Sequence, residues 1–223
     1  MTAAVILAGG RSSRMGQDKA LIAVGTEPLI QRTCRVALAC ADPVYVVAPW
    51  PDRYRPLVPS AVHWIEERAS PERPEASQGP LGALVLALGL LRDRPQCPEW
   101  VLVLACDMPN LSAAALNSWR ADLATVPLPY LAYLPRRQHR WEPLCGFYRT
   151  AALEPLRQYV TAPLAASKEP AQGSKVGPRG RSLQAWLRQH PVQPMPQVED
   201  AMLANLNTPA DLEAWQRSSQ SDS

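Results

Sequence analysis

The sequence has few of the side chains that usually mark a metal or redox site. Its three histidines, His63, His139 and His190, are scattered with no pattern of carboxylates or cysteines around them, so we expect none of them to be catalytic. Its five cysteines are odd in number and form no C-x-x-C pair, which argues against a disulfide framework and against a zinc site. We expect most of the cysteines to be small apolar residues of the core.

The chain also lacks a large excess of charge and any long hydrophobic run. A net charge of +3 over 223 residues does not indicate a nucleic-acid binder or a basic membrane anchor. No apolar run approaches the ~20 residues of a spanning helix, and the start has no signal-peptide pattern. We therefore expect a cytoplasmic protein that binds neither nucleic acid nor membrane. At 47% hydrophobic residues, it can bury a sizeable core.

Lysine is scarce, and one of the few lysines stands in an unusual place. Only three of the 23 basic residues are lysines. Lys19 is one of them, and it follows the first strand in the glycine-rich stretch LAGGRSSRMGQDKALI (residues 7–22). A compact ammonium suits a phosphate oxygen in a tight loop better than a guanidinium does. The alternative is an ordinary surface lysine.

Strand and helix patterns alternate over the first 125 residues, which predicts an α/β fold. Apolar runs bounded by Gly, Pro or Asp predict strands, and residues with helical spacing predict helices between them. Such alternation indicates a mostly parallel sheet covered by helices on both faces, a three-layer α/β/α arrangement. The predicted strands are 3–7, 44–48, 62–66 and 100–109, and the predicted helices begin at Pro28, at Ala83 and after the capping residue Ser112.

The second half of the chain is less regular. Residues 129–134 and 142–149 are predicted strands, joined by a basic tip, and residues 151–160 are a predicted helix. Residues 161–181 are rich in Pro, Gly, Ala and Ser, which is typical of a lid, a mobile loop or a solvated linker. Ser182 and Thr208 are expected to cap the last two helices. The final residues, 217–223, are expected to be disordered.

Two places in the sequence carry residues suited to binding phosphate and metal. Glycines after the first strand let backbone N–H groups face an anion, and Arg11, Arg14 and Lys19 add positive charge. The stretch matches neither the P-loop nor the dinucleotide-binding pattern, so a tight turn with surface charges is the alternative. Asp107 ends the most hydrophobic strand, where a carboxylate is well placed to hold Mg²⁺ or, alternatively, to cap a turn. Because parallel strands end at one edge of the sheet, we expect both places to lie together.

These residues resemble the signature of a known family. LAGGRSSRMGQDKAL is similar to the L-A-G-G-x-S-x-R-M-G-x-D-K motif of the molybdenum cofactor guanylyltransferases, the MobA family of nucleotidyltransferases. ACDMPNL, NLNTPADL and GPLGAL resemble three shorter motifs of that family and follow in the same order from residue 3 to about 215. The resemblance implies a single Rossmann-like nucleotidyltransferase domain over residues 1–216, with a nucleotide-binding half (1–125) and an acceptor-binding half (126–216).

The resemblance also implies an activity, the transfer of GMP from GTP to molybdopterin cofactor with Mg²⁺ and release of pyrophosphate, and a role for each matched residue. Arg14, Lys19 and Asp107 would be catalytic, and Asp107 would bind the metal. Asn205 and Asn207 would help to bind molybdopterin, near Arg179 and Arg181 if the loop that carries these arginines closes. Glu67 is the acidic residue nearest to the position of a family aspartate, and Ala48 stands where the family often has an asparagine, so the resemblance does not fix the contacts with guanine and ribose at these two positions. The residues implied for GTP are Leu7, Ala8, Gly9, Gly10, Lys19, Glu67 and Asp107.

Two other functions remain open at this point. A related enzyme would use CTP on molybdopterin, or act on a sugar or polyol phosphate; the LAGG string favours GTP. A non-catalytic nucleotide-binding carrier of molybdopterin would bind nucleotide without releasing pyrophosphate. The nucleophile in the favoured reaction is an ionised phosphate, which agrees with the absence of a poised histidine. The chain is expected to act as a monomer, in transient contact with proteins that deliver molybdopterin or receive the product.

Overall fold

The computed structural model describes residues 2–9, 17–67, 79–162, 181–196 and 198–221. The strands are β1 (Thr2–Leu7), β2 (Ala23–Val24), β3 (Glu27–Pro28), β4 (Val44–Ala48), β5 (Val62–Glu66), β6 (Trp100–Ala105), β7 (Ala132–Leu134), β8 (Arg136–Arg137), β9 (Arg140–Trp141), β10 (Cys145–Arg149) and β11 (Val192–Pro194). The α-helices are α1 (Leu29–Leu38), α2 (Gly79–Arg92), α3 (Ala113–Asp122), α4 (Leu153–Thr161), α5 (Leu183–Leu187) and α6 (Pro209–Ser221).

The centre of the fold is a seven-stranded sheet in the order β11-β7-β10-β6-β1-β4-β5. The neighbouring pairs β5–β4, β4–β1, β1–β6 and β7–β11 are parallel. Strand β10 runs antiparallel to both of its neighbours. The predicted α/β fold with a mostly parallel sheet is confirmed.

Helices cover both faces of this sheet because its central strands are apolar on both sides. Along β1, Ala4 and Ile6 join the core on one face, whereas Ala3 and Val5 join the core on the other. Side chains of a strand alternate between faces, so a continuous apolar run indicates a sheet buried on both sides. Helices α1 and α3 contribute to the first core, and α2, α4 and α5 contribute to the second. The predicted three layers are therefore present.

The predicted helix caps are formed. Ser112 accepts a hydrogen bond from the N–H of Ala115, at 3.3 Å, and so begins α3. Ser182 does the same for Ala185, at 3.2 Å. At α6 the Thr208 hydroxyl accepts from the Asp211 N–H at 3.2 Å, and the Asp211 carboxylate accepts from the Thr208 N–H at 2.8 Å. This reciprocal pair is the capping box.

Several boundaries differ from the prediction. Helix α2 begins at Gly79, whereas residues 68–82 were expected to be loop; leucines with helical spacing extend its apolar pattern back to Leu81, which is buried. Helix α6 continues to Ser221, so residues 217–221 are helical where disorder was expected. Strand β11 was not predicted, because three residues that include a proline give almost no periodic signal. The expected loop at 161–181 lies mostly outside the described residues.

The cysteines and the helices bear on what the sequence predicts about disulfides and membrane spans. Cys34, Cys40, Cys106 and Cys145 are buried free thiols and Cys97 is an exposed one, so four of the five cysteines fill the core as predicted. Burial raises the pKa of the Cys34 thiol to about 12, which keeps that thiol protonated at neutral pH. In the described part of the chain, no helix combines the length and the apolar character needed to cross a membrane.

Candidate functional site

The two places suited to phosphate and metal lie at the same edge of the sheet. Strands β1 and β6 are parallel neighbours, with Leu7 opposite Ala105 at their carboxyl ends. Just beyond, the thiol of Cys106 lies 3.7 Å from the carbonyl oxygen of Leu7. Ala8 continues the pairing of β1 with β4 through its N–H, 2.9 Å from the Val47 carbonyl oxygen. The predicted convergence of the first loop and Asp107 is confirmed for the residues that the structure describes.

Gly9 makes the turn out of β1 and cannot be replaced without a collision. Its φ is +127°, in a region that residues with a side chain rarely adopt. A Cβ at this position would lie 2.5 Å from Cδ of Pro49, which follows β4. The first glycine of the motif therefore allows the loop backbone to pass directly over the end of the neighbouring strand.

Lys19 joins the two places. Its ammonium lies 3.3 Å from Oδ2 of Asp107 and donates a hydrogen bond of 2.7 Å to Oδ1 of Asn207. The side chains of Lys19 and Asp107 are 21% and 24% exposed, so the pair is open to a ligand yet shielded on most sides. A cation, a carboxylate and an amide from three distant parts of the chain thus meet at the edge of a parallel sheet.

Packing and backbone hydrogen bonds bring the C-terminal segment to this edge. The N–H of Leu206 donates to the backbone carbonyl of Asp107 at 2.8 Å, which fixes Asn207 beside that strand end. The side chain of Leu206 packs with Ile22, Val24 and Leu29 in a small separate core. The segment that follows Lys19 and the segment that precedes α6 are therefore held against each other.

Lys19 itself stands at the start of a short 3-10 turn, Lys19–Leu21, whose capping residue is Asp18. Oδ1 of Asp18 accepts a hydrogen bond of 3.1 Å from the N–H of Ala20. Oδ2 of Asp18 accepts one of 2.6 Å from the hydroxyl of Tyr54. Sequence reasoning gave no role to either residue. Asp18 lies inside the recognised motif, but nothing in the sequence distinguishes Tyr54.

The loop between β9 and β10 adds a second acidic side chain near the site. The carbonyl of Leu144 accepts from the N–H of Ala105 at 2.9 Å, so residues 142–144 lie at the end of β6. Burial raises the pKa of Glu142; the positive charges of Arg137 and Arg140 oppose this rise, and the carboxylate of Asp107 adds to it. Arg137 lies 3.4 Å from Glu142 and donates to the carbonyls of Asp200 and Leu203, each at 3.3 Å.

Comparison with known proteins identifies the family of the chain. The family model of the MobA-like NTP transferase domain matches residues 4–172. The chain belongs to the MobA-like NTP transferase family. It is a nucleotidyltransferase, as the motif at residues 7–21 implied.

Full-length relatives agree with the family model. The chain is 43% identical over 209 residues to the probable molybdenum cofactor guanylyltransferase of Trichormus variabilis, covering 94% of this chain and 87% of that protein. It is 41% identical over 217 residues to the protein of the same name from Synechococcus elongatus, covering 97% and 98%.

Solved structures show the same fold at low sequence identity. Molybdopterin-guanine dinucleotide biosynthesis protein A from Archaeoglobus fulgidus superposes with a TM-score of 0.70 at 19% identity, over 99% of this chain and 100% of that one. A 4-diphosphocytidyl-2C-methyl-D-erythritol synthase from Anaerococcus prevotii gives a TM-score of 0.61 at 12% identity, over 98% and 96%. The MobA-like chain therefore has a nucleotidyltransferase fold that proteins with different names and substrates share.

The structure gathers many of the predicted site residues at one edge. Glu67 also ends its strand there: it is 6% exposed, and its N–H donates to the Ala48 carbonyl at 3.0 Å. Asn205 is half-buried, one residue before Leu206. Gly10, Arg14 and Arg179 lie outside the described residues. The predicted residues that the structure brings together are Leu7, Ala8 and Gly9 at the end of β1, Lys19 in its 3-10 turn, Asp107 after β6, and Asn207 of the C-terminal segment.

Arg181 is placed elsewhere. Its guanidinium donates to the carbonyls of Val160 and Ala162 at the end of α4. Those carbonyls lack helical partners, and an arginine satisfies them well. The structure does not bring Arg181 together with Lys19 and Asn207, whereas Asn207 does reach the cluster.

Proposed function

We propose that this chain is a molybdenum cofactor guanylyltransferase, which transfers GMP from GTP to molybdopterin cofactor and releases pyrophosphate. The observation that carries the proposal is the meeting of Lys19, Asp107 and Asn207 at the carboxyl edge of a parallel sheet. Relatives of that name at 41–43% identity support the choice of substrates.

The groups at the site suit nucleotidyl transfer. In this reaction an oxygen of the acceptor's terminal phosphate attacks the α-phosphorus of GTP, and the bond to the β-phosphate breaks as pyrophosphate leaves. In-line positioning and neutralisation of the phosphate charge supply most of the catalysis. Lys19, and Arg14 by its place in the motif, would neutralise the triphosphate. The acceptor phosphate is already ionised, so no general base is required.

The residues at the site fit a divalent metal with Asp107 as its protein ligand. Among the described residues, no group of three or more His, Cys, Asp or Glu side chains could hold a metal alone. Mg²⁺ does not need such a group, because it is commonly held by one or two carboxylates together with water and substrate phosphates. When bound, the ion would supply charge neutralisation at the phosphates, and the neighbouring ammonium of Lys19 would add to it.

We assign the two substrates to different parts of the carboxyl edge of the sheet. GTP would lie over the backbone of Leu7, Ala8, Gly9 and Gly10, with Glu67 two strands away on its ribose or guanine side. Molybdopterin would contact Asn205 and Asn207 from the C-terminal segment; Arg179 remains a candidate for its phosphate. Arg181 would act there only after leaving the end of α4. We further propose that the chain acts as a cytoplasmic monomer. It would pass its product to molybdoenzyme apoproteins, because the dinucleotide must be delivered to an enzyme that uses it.

A comparison of nucleotides tests the function. The protein is incubated with Mg²⁺, molybdopterin cofactor and either GTP or CTP, and both pyrophosphate and the dinucleotide product are measured. We expect product with GTP and little with CTP. Product only with CTP would indicate a cytidylyltransferase, and nucleotide binding without pyrophosphate release would indicate a carrier. Asp107→Ala serves as the inactive control, since it removes the proposed metal ligand.

A further inference from the structure

Tyr54 is a buried tyrosine whose only polar side-chain atom, the hydroxyl, contacts the segment that carries Lys19. It stands between two short 3-10 turns after β4, Pro51–Arg53 and Arg55–Leu57, and its side chain is 0% exposed. The hydroxyl lies 2.6 Å from Oδ2 of Asp18. A buried hydroxyl needs such a partner, and this partner is the residue immediately before Lys19.

Asp18 is held from two directions. Oδ2 accepts from the tyrosine, and Oδ1 accepts from the N–H of Ala20 at 3.1 Å. The Ala20 side chain is itself buried, at 3% exposure, so this part of the loop is packed against the core. Each oxygen of Asp18 therefore accepts a hydrogen bond from within the protein, and together the two bonds fix the orientation of the carboxylate.

The orientation of Asp18 determines the backbone position from which the Lys19 side chain extends. A lysine side chain has four rotatable bonds and loses much freedom when its ammonium is held at one point. Fixing the backbone on one side of Lys19 through Asp18 and on the other through Ala20 reduces the number of positions that the ammonium can sample. In the structure it reaches Asp107 at 3.3 Å and Asn207 at 2.7 Å.

We propose that Tyr54 is a positioning residue, which acts through Asp18 to hold Lys19 where its ammonium meets the nucleotide's phosphates. The inference rests on the proposed function in one respect, namely that Lys19 binds the triphosphate. Tyr54 touches neither substrate nor reacting atoms and is not a catalytic residue.

The protonation of Tyr54 agrees with this role. Burial raises the pKa of its phenol above the ordinary value, and the hydrogen bond to Asp18 and the charge of that carboxylate raise it further. The hydroxyl therefore remains a donor throughout the neutral pH range, and the contact does not depend on pH there.

A double-mutant cycle tests the role through GTP affinity, measured by calorimetry with Mg²⁺ present. Because the lost hydrogen bond has a charged acceptor, we expect Tyr54→Phe to raise the Kd for GTP about tenfold. In a Lys19→Met background the same change should alter the Kd less than about twofold, since the ammonium it positions is gone. Equal losses in both backgrounds would mean that Tyr54 merely stabilises the fold, and would overturn the proposal.

Tyr133 offers a matched control. Its side chain is also buried, at 3% exposure, and its hydroxyl donates to Oδ2 of Asp122 at 3.1 Å, at the end of α3 and away from the Lys19 loop. Tyr133→Phe should lower the melting temperature to a similar degree as Tyr54→Phe and leave the Kd for GTP unchanged. An equal loss of affinity in both variants would contradict the positioning role.

Asp18 provides a rescue experiment. In Asp18→Asn the amide can donate to the Tyr54 oxygen and accept from Ala20, so this variant should retain clearly more GTP affinity than Asp18→Ala. Affinity of Asp18→Ala equal to that of the wild type would overturn the proposal.

The outcome is separable from that of the proposed function. If the wild-type chain binds GTP but forms no dinucleotide, the proposed guanylyltransferase function is wrong. The double-mutant cycle can still be measured, because it depends only on GTP affinity. A chain that forms dinucleotide while Tyr54→Phe binds GTP normally contradicts the positioning role alone.

Discussion

The ammonium of Lys19 lies 3.3 Å from the carboxylate of Asp107, although 88 residues separate them in the chain. Their proximity follows from the parallel pairing of β1 and β6, whose ends are in register from Thr2 opposite Trp100 to Leu7 opposite Ala105. Residues that follow two such strands leave the sheet at the same edge. The pair places a group that favours phosphate beside a group that favours a metal cation.

Lys19→Arg should be nearly as harmful as removal of the lysine. The ammonium is within 3.3 Å of Asp107 and 2.7 Å of Asn207, and a larger planar guanidinium cannot occupy that point with the same contacts. We expect turnover of GTP to fall by about 100-fold or more, the usual effect of losing a group that stabilises transition-state charge. Steady-state pyrophosphate release measures it.

An exposed ion pair supplies the control for this exchange. Arg35 pairs with Glu27 at 3.0 Å, and its side chain is 59% exposed. Arg35→Lys should leave turnover unchanged, because exposed pairs contribute little. Turnover of Lys19→Arg within about threefold of the wild type would show that the site requires only a positive charge there.

The sequence allowed much of the site to be predicted, because its main residues stand at strand ends. The apolar run before Gly9 and the run before Asp107 predict two parallel strands, and their common edge follows from the fold class. Asn207 was named from a resemblance, and the capping box that precedes α6 explains why it is held. Strands and helix caps depend on periodic or neighbouring residues, so they can be predicted from the sequence.

The remaining contacts depend on tertiary packing and leave no such pattern. The Tyr54 hydroxyl meets Asp18 only because the turns after β4 bring it to the residue that precedes Lys19, and a single tyrosine carries no periodicity. Arg181 is basic and was expected to lie near the acceptor-binding residues. Its guanidinium instead donates to the last carbonyls at the end of α4. Composition cannot distinguish an arginine that binds a ligand from one that caps a helix.

Gly9→Ala should damage both the fold and the nucleotide site. The new Cβ would lie 2.5 Å from the ring of Pro49, at a φ of +127°, and a proline ring cannot rotate away. We expect the free energy of unfolding to fall by about 2 to 4 kcal/mol from strain and overlap together. Chemical denaturation measures this loss, and calorimetry should show weakened GTP binding.

Gly25 separates the effect of backbone strain from the effect of overlap with a neighbouring residue. Its φ is +64°, but a Cβ there meets no atom within 4 Å. Gly25→Ala should therefore cost only the backbone strain, about 1 to 2 kcal/mol, and should leave GTP affinity intact. If Gly9→Ala were no more harmful than Gly25→Ala, the close approach to Pro49 would not matter for the loop.

Arg137→Met should weaken use of the acceptor and spare GTP. Arg137 donates to the carbonyls of Asp200 and Leu203 and so holds the segment that leads to Asn205. We expect the KM for the molybdopterin acceptor to rise about tenfold, as for loss of charged hydrogen bonds, with the KM for GTP unchanged. Arg136→Met, on the same hairpin, is the control, since Arg136 lies over the ring of Trp141. A parallel rise in both KM values would mean that the whole edge had been disturbed.

Asp211 should stabilise the protein in a pH-dependent way. Hydrogen bonds from the backbone N–H groups of Asn207 and Thr208, each 2.8 Å long, lower the pKa of this carboxyl, and the Thr208 hydroxyl lowers it further. Because the folded-state pKa lies below the ordinary value of about 3.9, the stabilisation is complete at neutral pH and is lost as the pH falls through the folded-state pKa.

Asp211→Asn tests this dependence, since it removes the charge and keeps the shape. At pH 7 the variant should melt at a lower temperature than the wild type, and GTP turnover should fall because Asn207 is held less firmly beside Lys19. As the pH falls through the folded-state pKa of Asp211, the two melting temperatures should converge, because the wild-type carboxyl becomes protonated. A gap that stays constant from neutral to acid pH would show that the shape of the capping box, and not its charge, fixes the start of α6.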